Sequence, residues 1–254
     1  MAKAQTDSAD LDPASKRDHK RGSDKTGAAR MDGRKRRWQE HKLARREELV
    51  DGTLAAIRLR GSDIGMDEIA AEIGVSKTVL YRYFTDKSDL TGAATTRFME
   101  TRLAPALAEA LSQDLDEYGL CKAAIGVYVR TVADEPEIYP FVMGMTSSSG
   151  TGVQDAVAKS ERVIAEMLST VLGEHLRARG MDSGGAEPWA YAVVGGVQLA
   201  THRWMTHKTM SVDALIDYLV MFGWSAIAGI AASGASPSRF NAMDHPLVRP
   251  EDED

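Results

Sequence analysis

The sequence contains a single cysteine, Cys121, among its 254 residues. One cysteine excludes a disulfide within the chain and any CxxC metal or redox site. A reducing compartment is the simplest setting for such a chain, so we expect a cytoplasmic protein. The first forty residues also lack the apolar run that a secretory signal peptide needs. Secretion is therefore not expected.

Motifs for catalysis and cofactor binding are also missing from the sequence. The glycine-containing loops at 146–152 and 180–185 have neither the spacing of a phosphate-binding P-loop nor that of a dinucleotide-binding loop. His175, His202 and His207 are isolated, and no HExxH pair, Gly-x-Ser-x-Gly elbow or Cys/His nucleophile is present. We therefore expect no enzyme, no catalytic residue, no metal and no cofactor.

A long hydrophobic run typical of a membrane span is not obvious either. The most apolar stretch, from Ala214 to Ala232, contains Asp217 and several glycines, and no basic stop sequence follows it. We interpret this stretch as a buried helix and expect no association with a membrane.

Charge is distributed unevenly along the chain, whose formal net charge is −6. Seven basic residues and one acid lie between Arg34 and Arg46, whereas the last five residues include four acids. A local basic segment indicates an anionic partner. The cluster is either a solvated extension or an arm that reaches DNA, with Arg34, Lys35, Arg36 and Arg37 as its candidate contacts.

Apolar residues recur at helical spacing through most of the chain, and no segment shows the alternation typical of a strand. The predicted fold class is all-α. Residues 1–37 are too polar to order and predict a flexible basic arm, and residues 234–254 predict a flexible acidic tail. The predicted helices are about 38–60, 66–73, 76–84, 87–103, 105–113, 117–133, 137–146, 152–179, 187–207 and 211–233.

The segment from Met66 to Phe84 predicts two short helices that cross through a tight turn. Ala70 is small where the helices approach each other, and Gly74 can take the left-handed conformation that ends the first helix. Ser76 is a good N-cap for the second helix. An ordinary helical corner would use the same residue types, so the packing pattern alone leaves two interpretations open.

The second helix presents polar side chains on the face opposite Leu80, where a major groove could receive them. These side chains can donate hydrogen bonds to base edges or phosphates, and Tyr83 and Lys87 lie at the helix end, beside the flanking backbone. The polar residues on that face are Lys77, Thr78, Tyr81 and Arg82.

The same segment resembles the TetR family of transcriptional regulators. The resemblance rests on Ile69-Ala70, Gly74-Val75-Ser76, Leu80-Tyr81-Arg82-Tyr83-Phe84 and the Lys87-x-x-Leu90 spacing. It covers residues 43 to 90, and the aromatic and lysine spacings add constraints that packing does not require. One departure is Gly65-Met66, which stands where family members often have a hydroxyl residue that contacts phosphate.

The resemblance implies a homodimer with an N-terminal helix-turn-helix domain, here 38–86, and a larger helical domain for effector binding and dimerisation, here 87–233. It implies that Lys77, Thr78 and Arg82 read bases, whereas Ser76, Tyr81, Tyr83 and Lys87 contact phosphates. The family usually represses transcription and releases a near-palindromic operator when a small molecule binds. The last two long helices, rich in small residues, are either part of the core or the dimer interface.

The effector site is the least defined part of the prediction. Few charges interrupt the inner faces of the larger domain, which favours an apolar effector such as a fatty acid or acyl thioester. Each candidate is either a pocket residue or part of the core: Tyr128, Tyr139, Phe141, Met145, Met167, Trp189, Gln198 and His202. The alternative functions are an effector-independent DNA-binding or interaction protein and a transcriptional activator. A sizeable cavity would favour the ligand-responsive regulator.

Overall fold

The structure, a computed structural model, describes residues 24–145 and 150–245, with side chains from Lys35 onward. Over these residues the chain is helical and has no strand, which confirms the all-α prediction. The helices are α1 (Asp24–Arg60), α2 (Met66–Glu72), α3 (Lys77–Tyr83), α4 (Lys87–Phe98), α5 (Ala104–Leu111), α6 (Glu117–Asp134), α7 (Ile138–Val142), α8 (Thr151–Ala178), α9 (Ala186–His207), α10 (Val212–Ala232) and α11 (Pro237–Asn241).

Parts of three predictions lie outside the described residues. They are residues 1–23 of the predicted arm, residues 146–149 of the predicted loop and residues 246–254 of the predicted tail. The side chain of Arg34 is also outside the described part.

The chain forms two compact units, one up to Arg46 and one from Glu47 onward. Helix α1 begins at Asp24, earlier than the predicted start near Trp38. In the first unit the helix is polar, and Trp38 is exposed with the Lys42 ammonium 5.7 Å from its ring centre.

Local signals place the ends of the short helices. Gly61 (φ +94°) follows the last residue of α1, and Gly74 (φ +71°) follows α2. Both adopt a positive φ, which for Gly74 confirms the prediction from the sequence. The Ser76 hydroxyl accepts a hydrogen bond from the N–H of Val79 at 3.3 Å, which confirms it as the N-cap of α3. Asp86 caps α4 in the same way, through the N–H of Asp89.

The first core is formed by α1 to α4 together with α7. The apolar face of α1, the inner faces of α2 and α3 and the middle of α4 meet the short helix α7. Its most buried members include Ile57, Ile69, Leu80, Phe84, Leu90, Ile138 and Phe141. Helix α7 comes from the second half of the sequence, so helices α1 to α4 do not complete their core by themselves.

A larger helical domain surrounds two further clusters of buried residues. Ile125 and Val129 of α6 pack with Trp204 of α9 and Val220 of α10. The other cluster joins the α5 region to α8 through Leu107 and Ile164. Helix α6 therefore lies at the centre of this domain.

The structure differs from the predicted helices at three places. Residues Met99–Leu103 form a π-helical turn, in which the N–H of Ala104 donates to the carbonyl of Met99, so α4 continues into α5 and Pro105 sits in a first turn. Helix α7 is shorter than the predicted 137–146. Helix α11 lies within the predicted acidic tail.

The interpretation of α10 as a buried helix was wrong for most of its surface. By length and composition α10 is apolar enough to cross a membrane, yet 28% of its most apolar window is buried inside the protein. Tyr218, Met221 and Phe222 of α10 are exposed, as is Leu199 of α9. Hydrophobicity alone predicted a buried helix, but the other helices of this chain cover only part of α10.

Candidate DNA-binding surface and effector cavity

Helix α3 presents one apolar and one polar face. Leu80 is fully buried against the first core, whereas Lys77, Thr78 and Arg82 are exposed. Ser76 and Tyr81 are exposed beside them. The structure thus brings these five predicted DNA contacts together on one exposed surface, which we call the α3 surface.

Ion pairing holds the first residue of α3 in place. The Lys77 ammonium lies 2.7 Å from a carboxylate oxygen of Asp67 on α2, and this partner raises the pKa of Lys77. The same ammonium is 5.9 Å from the ring centre of Tyr81. Both side chains of the ion pair are solvent-exposed, so the pair orients Lys77 without removing it from reach of a ligand.

The two remaining predicted contacts lie at the edge of the α3 surface. Tyr83 is half-buried, and the Arg82 guanidinium lies 5.3 Å from its ring centre. Lys87 begins α4, with its ammonium 5.8 Å from the ring centre of Phe141. Tyr83 packs against the first core, and Lys87 is likewise half-buried.

The arm residues Lys35, Arg36 and Arg37 lie on the exposed part of α1 in the first unit. Arg36 pairs with Glu40 one helical turn later, at 3.5 Å. This is an exposed contact within the helix, of the type that contributes little to stability.

Helix α2 begins without the hydroxyl that its relatives often have at this point. Gly65 precedes the helix, and its N–H donates to the Glu68 carboxylate at 2.8 Å. A carboxylate there satisfies one of the free N–H groups at the start of the helix, but it repels phosphate. The departure noted in the sequence is therefore real in the structure.

The corner between α6 and α7 is bound to the end of α1 by two acidic residues. The Glu135 carboxylate accepts two hydrogen bonds from the Arg58 guanidinium, at 2.7 and 2.8 Å, and one from Arg102 at 3.3 Å. Glu135 is 7% exposed, and the hydrogen bonds from Arg58 lower its pKa. Glu137 accepts from the N–H of Ser62 at 3.2 Å. We call this corner, residues 134–137, the α6–α7 corner.

A cavity of about 260 Å³ lies in the larger domain between α5, α6, α8, α9 and α10. Its walls are almost entirely aliphatic, with Leu107, Leu120, Leu168 and Val193 among them. Tyr128 and Trp189, two of the predicted pocket residues, also line it. An apolar ligand is the class that such walls accept.

One end of this cavity carries the charged groups. Glu117 at the start of α6 and His175 near the end of α8 line the wall, 3.1 Å apart. Arg179 pairs with the same Glu117 carboxylate. A backbone N–H, together with His175 and Arg179, lowers the pKa of Glu117. Each of the two wall residues is about one-third exposed, so this end of the cavity reaches solvent.

A second, smaller cavity of about 40 Å³ lies beyond Tyr128. Thr95 and Phe98 of α4, Tyr139 of α7 and the following Met143 line it, together with Gln198 of α9. Tyr139 and Gln198 are therefore predicted pocket residues that line this second cavity. The Thr95 hydroxyl donates at 2.7 Å to the carbonyl of Val142, which joins α4 to α7.

The other four predicted pocket residues have different positions. Phe141 is fully buried in the first core, below Lys87, so it supports the DNA-binding domain. Met167 packs in the cluster around Leu107 and Ile164. Met145 and His202 line neither of the two cavities.

Sequence reasoning missed the residues that join the two domains. Arg58 and Glu135 are 77 positions apart, and no local pattern indicates their pairing. The aliphatic cavity residues on α6 and α8 were not predicted, because a cavity wall and a filled core have the same periodicity. A glutamate directly before Pro136 at a helix end was the one signal available for the α6–α7 corner.

Comparison with known proteins agrees with this architecture. Residues 49–94 match the family described as bacterial regulatory proteins, tetR family, and residues 106–239 match the tetracyclin repressor-like C-terminal domain. The HTH-type transcriptional regulator Rv0472c of Mycobacterium tuberculosis strain H37Rv is 56% identical over 217 residues, which are 85% of this chain and 92% of that protein. The HTH-type transcriptional activator FasR of Mycolicibacterium smegmatis is 23% identical over 168 residues, 65% of this chain and 74% of FasR.

Solved structures share the fold at low sequence identity. A TetR-family regulator from Syntrophomonas wolfei superposes with a TM-score of 0.60 at 15% identity, covering 74% of this chain and 96% of that chain. The regulator FadR of Bacillus subtilis, solved in complex with stearoyl-CoA, gives a TM-score of 0.56 at 14% identity, covering 70% and 96%. These proteins and relatives are DNA-binding regulators rather than enzymes. The chain belongs to the TetR family of bacterial transcriptional regulators.

Proposed function

We propose that this regulator binds a near-palindromic operator through the α3 surface and releases it when an apolar effector fills the larger domain. The observation that carries the proposal is the aliphatic cavity of about 260 Å³. A regulator that works without an effector has no need of such a space, because a filled core would be more stable.

Within the α3 surface, Lys77, Thr78 and Arg82 would read base edges, and Ser76, Tyr81, Tyr83 and Lys87 would hold phosphates. Ser76, Lys77, Thr78, Tyr81 and Arg82 are exposed on one face above the buried Leu80, and the half-buried Tyr83 and Lys87 lie at its edge, which supports this division. Backbone contacts fix the register of the helix, and base contacts supply the specificity.

Gel-shift titration of single variants tests the DNA surface. Lys77→Ala and Tyr81→Ala should abolish or strongly weaken operator binding without unfolding the protein, since both side chains are exposed. Lys122→Ala, which removes an exposed lysine from α6 of the larger domain, is the matched control and should bind normally. Unchanged affinity in both α3 variants would exclude this surface as the DNA contact.

The effector would be a fatty acid or acyl thioester. The aliphatic walls suit an acyl chain, and the end of the cavity at Glu117, which reaches solvent, leaves room for a polar head group. The complex of the B. subtilis FadR with stearoyl-CoA shows that this fold accommodates such a ligand. Thermal shift with a metabolite panel tests the class, and stabilisation only by polar metabolites would exclude it.

The second copy of the chain would bind to the exposed faces of α9 and α10. Leu199 is 72% exposed and Phe222 is 65% exposed. Large apolar side chains that are exposed together on one surface are typical of protein–protein interfaces. A methyl group added at Gly195, Gly196 or Gly229 would meet no atom within 4 Å, which leaves room for close helix approach. A two-fold dimer presents two recognition helices about one DNA turn apart and accounts for a palindromic operator.

The direction of regulation is proposed as repression with release by the effector, in a cytoplasmic protein without a bound cofactor. Activation is the second candidate, and the name of the M. smegmatis relative FasR, an activator, favours it. Selection of bound genomic DNA, followed by transcription from the recovered promoters with and without acyl effector, separates the two. Lower transcription without effector supports repression, and higher transcription supports activation.

The basic cluster that precedes the helix-turn-helix in the sequence would add phosphate contacts through Arg34, Lys35, Arg36 and Arg37. Gly65-Met66 stands where family members often have a hydroxyl, and the Glu68 carboxylate accepts from the Gly65 N–H there, which increases the need for other backbone contacts.

A further inference from the structure

We propose that Tyr128 is a partition between the two cavities and sets the acyl chain length to which the regulator responds. This inference deepens the proposed function and rests on it. Tyr128, Ile164 and Val194 line both cavities, so the wall between them is one layer of side chains thick. Of the three, only Tyr128 forms a side-chain hydrogen bond across the smaller cavity.

That hydrogen bond connects the partition to the DNA-binding half of the molecule. The phenol oxygens of Tyr128 on α6 and Tyr139 on α7 lie 3.3 Å apart. Burial raises the pKa of both phenols, so they are neutral at physiological pH, and one donates to the other. Tyr139 is 2% exposed, and its neighbours Ile138 and Phe141 belong to the first core. Movement of Tyr128 therefore reaches the domain that carries α3.

The geometry also gives an approximate length. The charged end of the large cavity is at Glu117, and the partition is eleven residues later on α6, or about 16 Å at 1.5 Å per residue. An extended hydrocarbon chain advances roughly 1.25 Å per carbon, given C–C bonds of about 1.5 Å. A chain of about 12 carbons, with its head group at the Glu117 end, therefore just reaches Tyr128.

We place the head group at the Glu117 end because Glu117 and His175 are each about one-third exposed there, so this end of the cavity reaches solvent, as a bulky thioester would require. The opposite end is closed by Tyr128 and the buried Ile164.

Chains longer than this threshold must turn Tyr128 aside, break its hydrogen bond with Tyr139 and enter the second cavity between α4 and α7. Shorter chains bind without disturbing either helix. The chain length at which the DNA is released is then the same length at which the gain in affinity per added methylene becomes smaller.

The test measures binding and DNA release for straight-chain acids from 8 to 18 carbons, as free acids and as CoA thioesters, with the full-length protein. In the wild type, affinity should rise about fourfold per methylene up to about 12 carbons. It should rise much less beyond that length, where DNA release begins. The two arms identify the head group, because only the form that fits the Glu117 end should show this profile.

Two variants isolate the partition. Tyr128→Ala opens the wall, so the increase in affinity should continue through 18 carbons without a break. Tyr139→Phe keeps the ring but removes one partner of the hydrogen bond, so 16-carbon chains should bind several-fold tighter and 10-carbon chains should be unaffected. Tyr191→Phe, on α9 outside both cavities, is the matched control and should follow the wild type.

The outcomes distinguish the inference from the function on which it rests. Parallel profiles for wild type and Tyr128→Ala at all lengths would overturn the partition and leave the acyl effector intact. Absence of binding by every chain in both forms would overturn the effector class and the partition together. A break near 12 carbons that disappears in Tyr128→Ala supports both.

Discussion

The ion pair between Arg58 and Glu135 should contribute more to stability than exposed pairs of the same distance. Glu135 is 7% exposed and accepts two hydrogen bonds from Arg58, whereas the Arg58 side chain is 43% exposed. Breaking a fully buried pair costs about 3–5 kcal/mol. Because the guanidinium remains partly hydrated, we expect Arg58→Ala to reduce the free energy of unfolding by about 2 kcal/mol.

A double-mutant cycle of Arg58→Ala and Glu135→Ala, measured by urea denaturation, isolates the pairwise coupling. Arg102 also donates to Glu135 at 3.3 Å, so the carboxylate keeps one partner in the Arg58→Ala protein. The matched control is the pair of Arg130 and Asp213, which is equally short at 2.7 Å but exposed on both sides. Its coupling should be below about 0.5 kcal/mol, as for other surface pairs.

The pH dependence of the coupling has a defined sign. Arg58 lowers the pKa of Glu135 in the folded state. The stabilisation is therefore complete above the unfolded glutamate pKa of about 4.3 and is lost as pH falls through the lower folded-state value. Equal coupling energies in the buried and exposed pairs, or a coupling that strengthens in acid, would refute this reasoning.

Three further predictions concern the turn, the arm and the dimer. Gly74→Ala should destabilise the protein by about 1 kcal/mol in urea titration because φ is +71°, whereas Gly126→Ala, within α6, should not destabilise it. Deleting residues 1–37 should reduce the slope of log affinity against log salt by about 2–3, and an unchanged slope would exclude arm contacts. Leu199→Asp should produce a monomer in analytical ultracentrifugation, while Leu59→Asp, equally exposed on α1, should leave a dimer.

Local signals in the sequence were sufficient to predict the helix-turn-helix. The role of Gly74 depends only on its own backbone conformation, and that of Ser76 only on the N–H three residues later. The burial of Leu80 follows from the helical period of α3. All of these operate within one or two helical turns. The α3 surface could therefore be predicted residue by residue.

The effector region could be predicted only as a class, because its features depend on distant contacts. Phe141 and Tyr139 are two residues apart on α7, yet Phe141 belongs to the first core and Tyr139 lines the second cavity. Periodicity indicates that both side chains are buried, but it does not indicate whether a side chain packs in the first core or lines the second cavity. The exposed side of α10 was unpredictable for a similar reason, since burial there depends on which other helices of the chain pack against it.

The position of α7 has a consequence for engineering chimeric regulators. Ile138, Phe141 and Val142 complete the core of the DNA-binding half although they follow α6 in the chain. Exchanging sensory halves at a junction before α4 would pair each recognition domain with a foreign α7 and leave mismatched side chains in its interior. A hybrid in which each DNA-binding half retains its own α7, with junctions on both sides of residues 138–142, keeps all the side chains of the first core together.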